Sequence, residues 1–330
     1  MKAFPESVAR LKGQHILVTG GAGFIGSNLV EALLKTGARV RVLDDLSTGF
    51  KKNIERFASM ADFSFIQGDI RDAETCRKAL EGIDAVSHQA ALGSVPRSIE
   101  FPLATHAVNA TGFLTMLHAV KEAGIKRFVF ASSSSVYGDS LSSPKKEGHE
   151  GNALSPYAVS KQLNEQYAGV YNRLHGIETI GLRYFNVFGP YQNPDGVYAA
   201  AIPKFLGKMK SGGEIVVNGD GGQTRDFTFV QNAVLANLLS LSGTGGEAFG
   251  KVFNVACGRS LTLNEVLSSL QDGLVSLGIA PRHELVYGPK RLGDIQDSLA
   301  DISAIQQHLG YAPAYSFEEG IAIYLAFQEA

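Results

Sequence analysis

The run His15-Ile16-Leu17-Val18-Thr19-Gly20-Gly21-Ala22-Gly23-Phe24-Ile25-Gly26 constrains this chain more than any other stretch. Ile16 to Val18 is a short apolar run of the kind carried by a fully buried parallel strand. Gly20, Gly23 and Gly26 follow at G-x-x-G-x-x-G spacing. Phe24, Ile25, Leu29, Val30, Leu33 and Leu34 then recur at helical intervals. The glycines therefore fall on a strand-to-helix turn. There, backbone N–H groups can approach a pyrophosphate, and the helix N-terminus favours its negative charge. A glycine triplet alone is weak evidence, but the flanking strand and helix are what a dinucleotide site requires.

The next strand pattern, Ala38 to Leu43, ends in Asp44-Asp45. An acidic residue about 20 positions after the glycines can accept hydrogen bonds from the adenosine ribose hydroxyls. A carboxylate there repels a 2′-phosphate, so NAD is expected rather than NADP. One of the two aspartates is expected to cap the following loop instead.

The pattern then repeats. Phe63 to Ile66 reads as a strand ending in Gln67-Gly68-Asp69-Ile70. Asp69 and the backbone of Ile70 can meet an adenine ring, or Asp69 can cap a helix over 71–80. Ala85 to His88 is another strand, followed by the small residues of Gln89-Ala90-Ala91, which let the chain pass close to a cofactor. Lys126 to Ala131 and Ile180 to Tyr184 continue the series, and residues 1–13 read as a short leading helix. Repeated βα units with apolar strands imply an α/β fold with a doubly wound parallel sheet. After Phe188-Gly189-Pro190 the rhythm breaks. We expect a cofactor domain over 1–189 and a smaller α/β substrate lobe over 190–330. A helix over 230–241 and a strand over 251–256 are expected to return to the first domain.

Composition excludes several classes. The formal net charge of −2 offers no electrostatic argument for nucleic acid or an anionic membrane. No apolar run reaches the ~18 residues of a membrane span, and the start lacks the apolar core of a signal peptide. Cys76 and Cys257 do not pair as a disulfide framework or a metal site, and the eight histidines are scattered. A cytoplasmic enzyme without a metal is the expectation.

Tyr157-Ala158-Val159-Ser160-Lys161 carries the chemistry. Pro156 suits the first turn of a helix, on which Tyr157 and Lys161 share a face. A tyrosine of pKa about 10 is a poor base at neutral pH. A neighbouring ammonium is expected to lower that value, as is a positively charged nicotinamide ring. Ser132-Ser133-Ser134-Ser135 follows a strand, where sheet carboxyl ends face the ligand crevice. Hydroxyls there can bond a substrate hydroxyl and the tyrosine together.

The set T-G-G-A-G-F-I-G, S-S-S-S-V-Y-G, Y-A-V-S-K and R-Y-F-N-V-F-G-P resembles the extended short-chain dehydrogenase/reductases, a Rossmann family, over nearly the whole chain. Within them it is similar to the UDP-sugar 4-epimerases. The run His88-Gln89-Ala90-Ala91-Leu92-Gly93-Ser94-Val95-Pro96-Arg97-Ser98 is close to the bacterial branch acting on UDP-N-acetylglucosamine and UDP-N-acetylgalactosamine in polysaccharide synthesis. The resemblance implies an NAD-dependent isomerase working through a 4-keto sugar, with the cofactor held tightly and recycled. It implies Tyr157 as base, Lys161 as its tuner and Ser133 as the catalytic serine. Cofactor contacts are implied for Gly20, Gly23, Phe24, Ile25, Gly26, Asp44, Asp45, Ser47, Thr48 and Gly49. Further along they are implied for Asp69, Ile70, Gln89, Ala90, Ala91, Asn109, Tyr157, Lys161, Tyr184 and Val187.

Substrate contacts are implied for Gly93, Ser94, Ser133, Tyr157, Asn186, Ala200, Ala201, Val216, Asn218, Arg225, Arg291 and Ser298. Arg225 and Arg291 would grip the diphosphate, for which guanidinium forks are suited. Two departures bear on specificity. Ser134 and Ser135 stand where related dehydratases carry acids, so simple epimerisation is favoured. Ser298 stands where glucose-restricted epimerases carry a tyrosine, and Ala200-Ala201 where they carry Asn-Leu, leaving room for an N-acetyl group. Asn218 replaces an aromatic near the uracil. UDP-hexuronates and UDP-glucose remain alternative substrates, and a non-catalytic NAD-binding regulator remains an alternative class. A homodimer through helices near 100–122 and 157–175 is also implied. Tyr167, Val170, Tyr171 and Leu174 form an apolar face there that could equally be core.

Overall fold

The computed structural model describes residues 2–193, 201–243, 245–289 and 296–329. Strands β1 (His15–Thr19), β2 (Arg39–Asp44), β3 (Phe63–Gln67), β4 (Ala85–His88), β5 (Arg127–Ser133) and β6 (Glu178–Tyr184) alternate with helices. Short strands β7 (Val187–Phe188), β8 (Glu214–Asn218), β9 (Thr224–Asp226) and β10 (Thr228–Phe229) follow. Then come β11 (Lys251–Val255), β12 (Ser260–Thr262) and β13 (Glu284–Gly288). Seven strands form one parallel sheet in the order β11-β6-β5-β4-β1-β2-β3. The order reverses between β1 and β4, and in such a fold ligands bind in the crevice beyond the strand ends at that switch point.

The sheet is buried on both faces. Ile16 and Val18 face one helical layer with Leu29, Leu33, Ala236 and Leu239. Leu17, Val86, Phe128 and Phe130 face the other with Met116, Leu117 and Phe113. Near-continuous apolar strands follow from this double burial. The helix Val230–Ser242 packs into the first layer, and β11 closes the sheet beside β6 in register Lys251 to Ile180. A second cluster gathers Phe205, Met209, Ile215, Val266, Leu270 and Tyr324 around β8, β13 and the helices Ala201–Ser211 and Leu263–Ser276.

Some boundaries differ from the sequence expectations. The leading segment is a 3-10 turn, Glu6–Leu11, rather than a regular helix. Ser132 and Ser133 lie inside β5 instead of in the loop after it. The helix expected near 100–122 runs from Pro102 to Glu122, and a separate short helix, Val95–Glu100, precedes it. At their junction and within the longer helix the regular geometry is interrupted. The chain breaks at Phe101 and passes through a π turn, Ala107–Gly112. Helix Pro156–His175 is continuous, capped by the Ser155 hydroxyl accepting from Ala158 N and closed by left-handed Gly176. On its outer side Tyr167, Val170 and Leu174 are exposed, Leu174 by 71 %, so this face is not core of the single chain. Both cysteines are free. Among the described residues no helix is long and apolar enough to cross a membrane.

Candidate active site

Three adjoining clefts open at the carboxyl ends of the strands. The first, about 330 Å³, starts on the glycine turn. Gly20 sits at φ +69°, and a Cβ there would lie 2.6 Å from Ala90 N. A Cβ on Gly26 would lie 2.1 Å from the Gly20 carbonyl oxygen. A side chain at Gly20 would run into the chain after β4, and one at Gly26 would push the helix Phe24–Lys35 away from the turn. Gly23, Phe24 and Ile25 line the same wall, and Ser47, Thr48 and Gly49 line the side beyond β2.

Asp44 and Asp45 both reach this cleft. Asp44 is buried, and its carboxylate accepts from Ala22 N (2.9 Å) and Leu46 N (2.9 Å). Burial pushes its pKa up. Asp45 accepts from Ser47 N (2.9 Å). Each thus braces a loop, and each keeps acceptor positions to spare for ribose hydroxyls. Ile70, Gln89, Ala90, Ala91, Tyr184 and Lys161 complete the lining. Gln89 is fixed on both sides of its amide. Its Oε1 accepts from the Tyr184 hydroxyl (3.0 Å) and its Nε2 donates to Ser87 and Asn237.

Three of the cofactor contacts implied by resemblance lie elsewhere. Asp69 turns its carboxylate onto Arg71 (2.9 Å to Nε), which holds it well below the usual carboxylate range. The helix Ala73–Ala79 is capped by Asp72 instead. Asn109 is buried in the π turn and spends its amide on the chain beside the cleft. Its Oδ1 accepts from Leu92 N (2.7 Å), and its Nδ2 donates to Leu92 O (3.2 Å) and Ser160 Oγ (3.2 Å). It positions the Gln89–Gly93 run rather than lining the cleft. Val187 lines the two substrate-side clefts.

The second cleft, about 510 Å³, shares Phe24, Ile25, Gly93, Ser132, Tyr157 and Tyr184 with the first. Tyr157 therefore stands where the two meet, with Lys161 on the side of the first cleft. The Ser133 hydroxyl donates to the Tyr157 phenol, which favours the phenolate, but burial outweighs it and the pKa is raised. This corrects the sequence expectation of a lowered value. Lys161 is 3 % exposed, and burial brings its pKa down to about 8, partly offset by Glu165. Its Nζ donates to the Ala131 carbonyl (2.8 Å) and lies 5.9 Å from the Tyr157 ring centre. At this distance Lys161 does not offset the burial of the phenol, and a nicotinamide cation in the first cleft would add to its field.

Behind the serines lies a buried ionic network that the sequence did not reveal. Ser132 Oγ donates to Glu165 Oε1 (2.5 Å), and Glu165 receives Arg183 through Nε (2.9 Å) and Nη2 (2.7 Å). Arg183 also meets Glu150 and the Tyr137 hydroxyl, and Tyr137 donates to Asn254 (2.7 Å). These pairings lock β5, β6 and β11 together beneath the reactive groups.

The other wall of the second cleft holds Ser94, Ser134, Ser135, Lys145, Arg225 and Ser298. Ser94 also caps the helix Val95–Glu100, accepting from Arg97 N (3.1 Å). Ser298 is buried, its N–H donating to Thr224 O (3.2 Å). Asn186, at φ +35°, and Arg225 continue into a third cleft of about 300 Å³ with Ala201, Val216, Asn218 and Gln223. Asn186 Nδ2 donates to Asp226 O (3.0 Å). The buried Asp226 carboxylate ties β9 to Cys257 N (3.0 Å), Gly258 N (3.0 Å) and Ala300 N (3.4 Å), and burial raises its pKa to about 6. Ala200 and Arg291 lie outside the described residues. Lys145 and Glu165 escaped the sequence reading because each acts through partners far away along the chain.

Residues 16–256 match the NAD dependent epimerase/dehydratase family. The chain is 37 % identical over 308 residues to a putative UDP-glucose 4-epimerase of Methanocaldococcus jannaschii, covering 93 % of this chain and 95 % of that protein. It superposes with TM-score 0.88 on a UDP-N-acetylglucosamine 4-epimerase of Methanobrevibacter ruminantium solved with UDP-N-acetylmuramic acid. That pair is 37 % identical and covers 96 % of this chain and 99 % of the other. A Thermus thermophilus UDP-glucose 4-epimerase solved with NAD gives 0.84 at 34 % identity, covering 96 % and 100 %. The glycine turn, the parallel sheet and the Tyr157–Lys161 helix are thus parts of one shared design, and the chain belongs to the NAD dependent epimerase/dehydratase family, as an extended short-chain dehydrogenase/reductase.

Proposed function

We propose that the protein is a UDP-sugar 4-epimerase that interconverts UDP-N-acetylglucosamine and UDP-N-acetylgalactosamine. The observation that carries this is the meeting of Tyr157, Ser133 and Lys161 at the junction of a dinucleotide cleft and a sugar-sized pocket walled by the small Ser298. Residues 1–189 with 230–258 would hold the cofactor, and 190–330 the UDP-sugar. The residues of the first cleft fit NAD. The glycine turn leaves room that any Cβ would fill, and Asp44 and Asp45 present acceptors where ribose hydroxyls would come.

NAD, when bound, supplies a hydride acceptor and donor at the sugar C4. Tyr157 removes the O4 proton and later returns it. Ser133 hydrogen-bonds O4 and holds the phenol in line. Lys161, fixed on Ala131 O, favours the phenolate electrostatically. Arg225 and Asn186 hold the diphosphate at the border of the second and third clefts while the sugar turns over in the roomier second one. The serines at 134 and 135 offer no acid for dehydration. A homodimer would bury the exposed Tyr167, Val170 and Leu174 face.

The test is NMR of the purified protein with UDP-N-acetylglucosamine and no added NAD. Appearance of UDP-N-acetylgalactosamine supports both epimerisation and a retained cofactor. Turnover of UDP-glucose alone would overturn the N-acetyl preference. A purely regulatory NAD-binding role would leave every UDP-sugar unchanged.

A further inference from the structure

Lys145 is 4 % exposed and lines the sugar pocket. Its main chain is stitched to the segment carrying Ser298. Its N–H donates to Leu299 O (2.7 Å), and its carbonyl accepts from Asp301 N (2.9 Å) and Asn254 Nδ2 (3.0 Å). The ammonium is bonded to one group, the Ser140 carbonyl. Among the described residues no carboxylate stands within ion-pair distance of it.

Arg183 shows the contrast. Its guanidinium is packed more deeply, beneath the cleft, and is met by two glutamates. Buried cations are ordinarily paired, because desolvation penalises an uncompensated charge. Burial accordingly draws the Lys145 pKa below its usual value, with Asp297 as the opposing charge. Asp297 is exposed, and its carboxylate already accepts from the Thr224 hydroxyl (2.9 Å).

A second group in the same wall is also short of a partner. Ser135 Oγ is buried and finds no hydrogen bond among the described residues. An ammonium with donors to spare and an unused hydroxyl are what the two oxygens of a carboxylate accept from. A neutral hydroxymethyl group would leave the charge uncompensated. A hexose becomes an acid by oxidation of its one primary alcohol, at C6, two bonds from the reacting C4.

We propose that Lys145, assisted by Ser135, is the recognition group for a C6 carboxylate, so that the substrates this pocket takes best are UDP-N-acetylhexuronates. This rests on the UDP-sugar 4-epimerase reading and narrows its substrate class. It makes Lys145 a specificity-determining residue, outside the proton transfer carried by Tyr157.

The test compares UDP-N-acetylglucosaminuronate with UDP-N-acetylglucosamine on the NAD-loaded protein, by NMR turnover and by calorimetric binding. Wild type, Lys145→Met and Lys145→Arg are measured side by side. The expected result is a kcat/KM preference for the uronate in wild type. The preference falls by about tenfold or more in Lys145→Met, the scale of a lost charge-assisted bond, and is largely kept in Lys145→Arg. Equal losses on both substrates in Lys145→Met would overturn the proposal and leave the epimerase reading standing. Turnover of neither substrate, with tighter Lys145-dependent binding of the uronate, would overturn the epimerase reading and leave the carboxylate site standing. Neither turnover nor a binding preference would overturn both.

Discussion

The Nζ of Lys161 donates to the carbonyl of Ala131 at 2.8 Å, tying the helix that carries Tyr157 to the strand that carries Ser132 and Ser133. The bond fixes the ammonium beside Tyr157 without giving it a direct hydrogen bond to the phenol. Under the proposed mechanism Lys161 acts on Tyr157 through its field. Replacing it by Met keeps the volume and removes the charge. In Lys161→Met the acidic limb of the kcat–pH profile should move up by about one unit or more. Turnover at pH 7 should fall on the order of a hundredfold. A profile that keeps its limb while losing amplitude would mean that Lys161 only holds the helix in place.

Gly26 has no room for a methyl group, since a Cβ would lie 2.1 Å from the Gly20 carbonyl oxygen and 2.8 Å from Gly21 Cα. Both neighbours are backbone of the turn itself, so relief requires opening the turn. Under the proposed function NAD copurifies with wild type, and Gly26→Ala should lose most of it together with about 1–3 kcal/mol of stability from overpacking. Cofactor released on denaturation, read by absorbance, and a thermal melt check the two parts. Undiminished cofactor in the variant would show that the turn is not the pyrophosphate seat.

Local signals were legible in the sequence. Strand, turn and helix start follow one another within 12 residues over His15–Gly26, and Tyr157 and Lys161 share a helix face by spacing alone. The parallel, doubly wound sheet followed from the βα rhythm. Contacts between distant segments were not legible. Nothing in the polar stretch around Lys145 announces that residues 299–301 will bury it, and Glu165 reads as a surface helix residue until Arg183 arrives from β6. Asn109 reads as a candidate cofactor contact until the π turn aims its amide at Leu92. Asp69 was balanced between two local roles, and the structure supplied a third, its pairing with Arg71.

His88 ends β4 within an aromatic cage, 5.4 Å from the Phe113 ring and 5.7 Å from Phe128, with Nδ1 3.0 Å from the Thr19 hydroxyl. Burial, with help from the charge of Lys161, lowers its pKa from 6.5 to about 3. Between those values the unfolded chain binds a proton that the fold refuses, so His88 destabilises the protein as pH falls. Asp226, raised from 3.8 to about 6, acts in the opposite direction over part of that range, because its fold protonates first. Relative to wild type, His88→Gln should flatten the acid side of the stability curve by up to about 1.4 kcal/mol per pH unit below pH 6. Urea midpoints taken from pH 7 to pH 4 measure it. Parallel curves would mean that His88 is already charged in the fold.

Ser298 is buried in the wall of the second cleft, and its N–H is held by Thr224 O at 3.2 Å, so its side chain cannot withdraw without breaking the link to β9. A tyrosine placed there must project into the space that an N-acetyl group would occupy. Ser298→Tyr should reduce kcat/KM for UDP-N-acetylglucosamine by about a hundredfold, while UDP-glucose falls by less than about threefold, the expectation for a steric block felt by one substituent. Retained NAD serves as the folding control, since Ser298 lies outside the first cleft. The change in the ratio of the two substrates is the informative quantity. Equal losses on both would place the N-acetyl group away from Ser298 and remove the main support for an N-acetylated substrate.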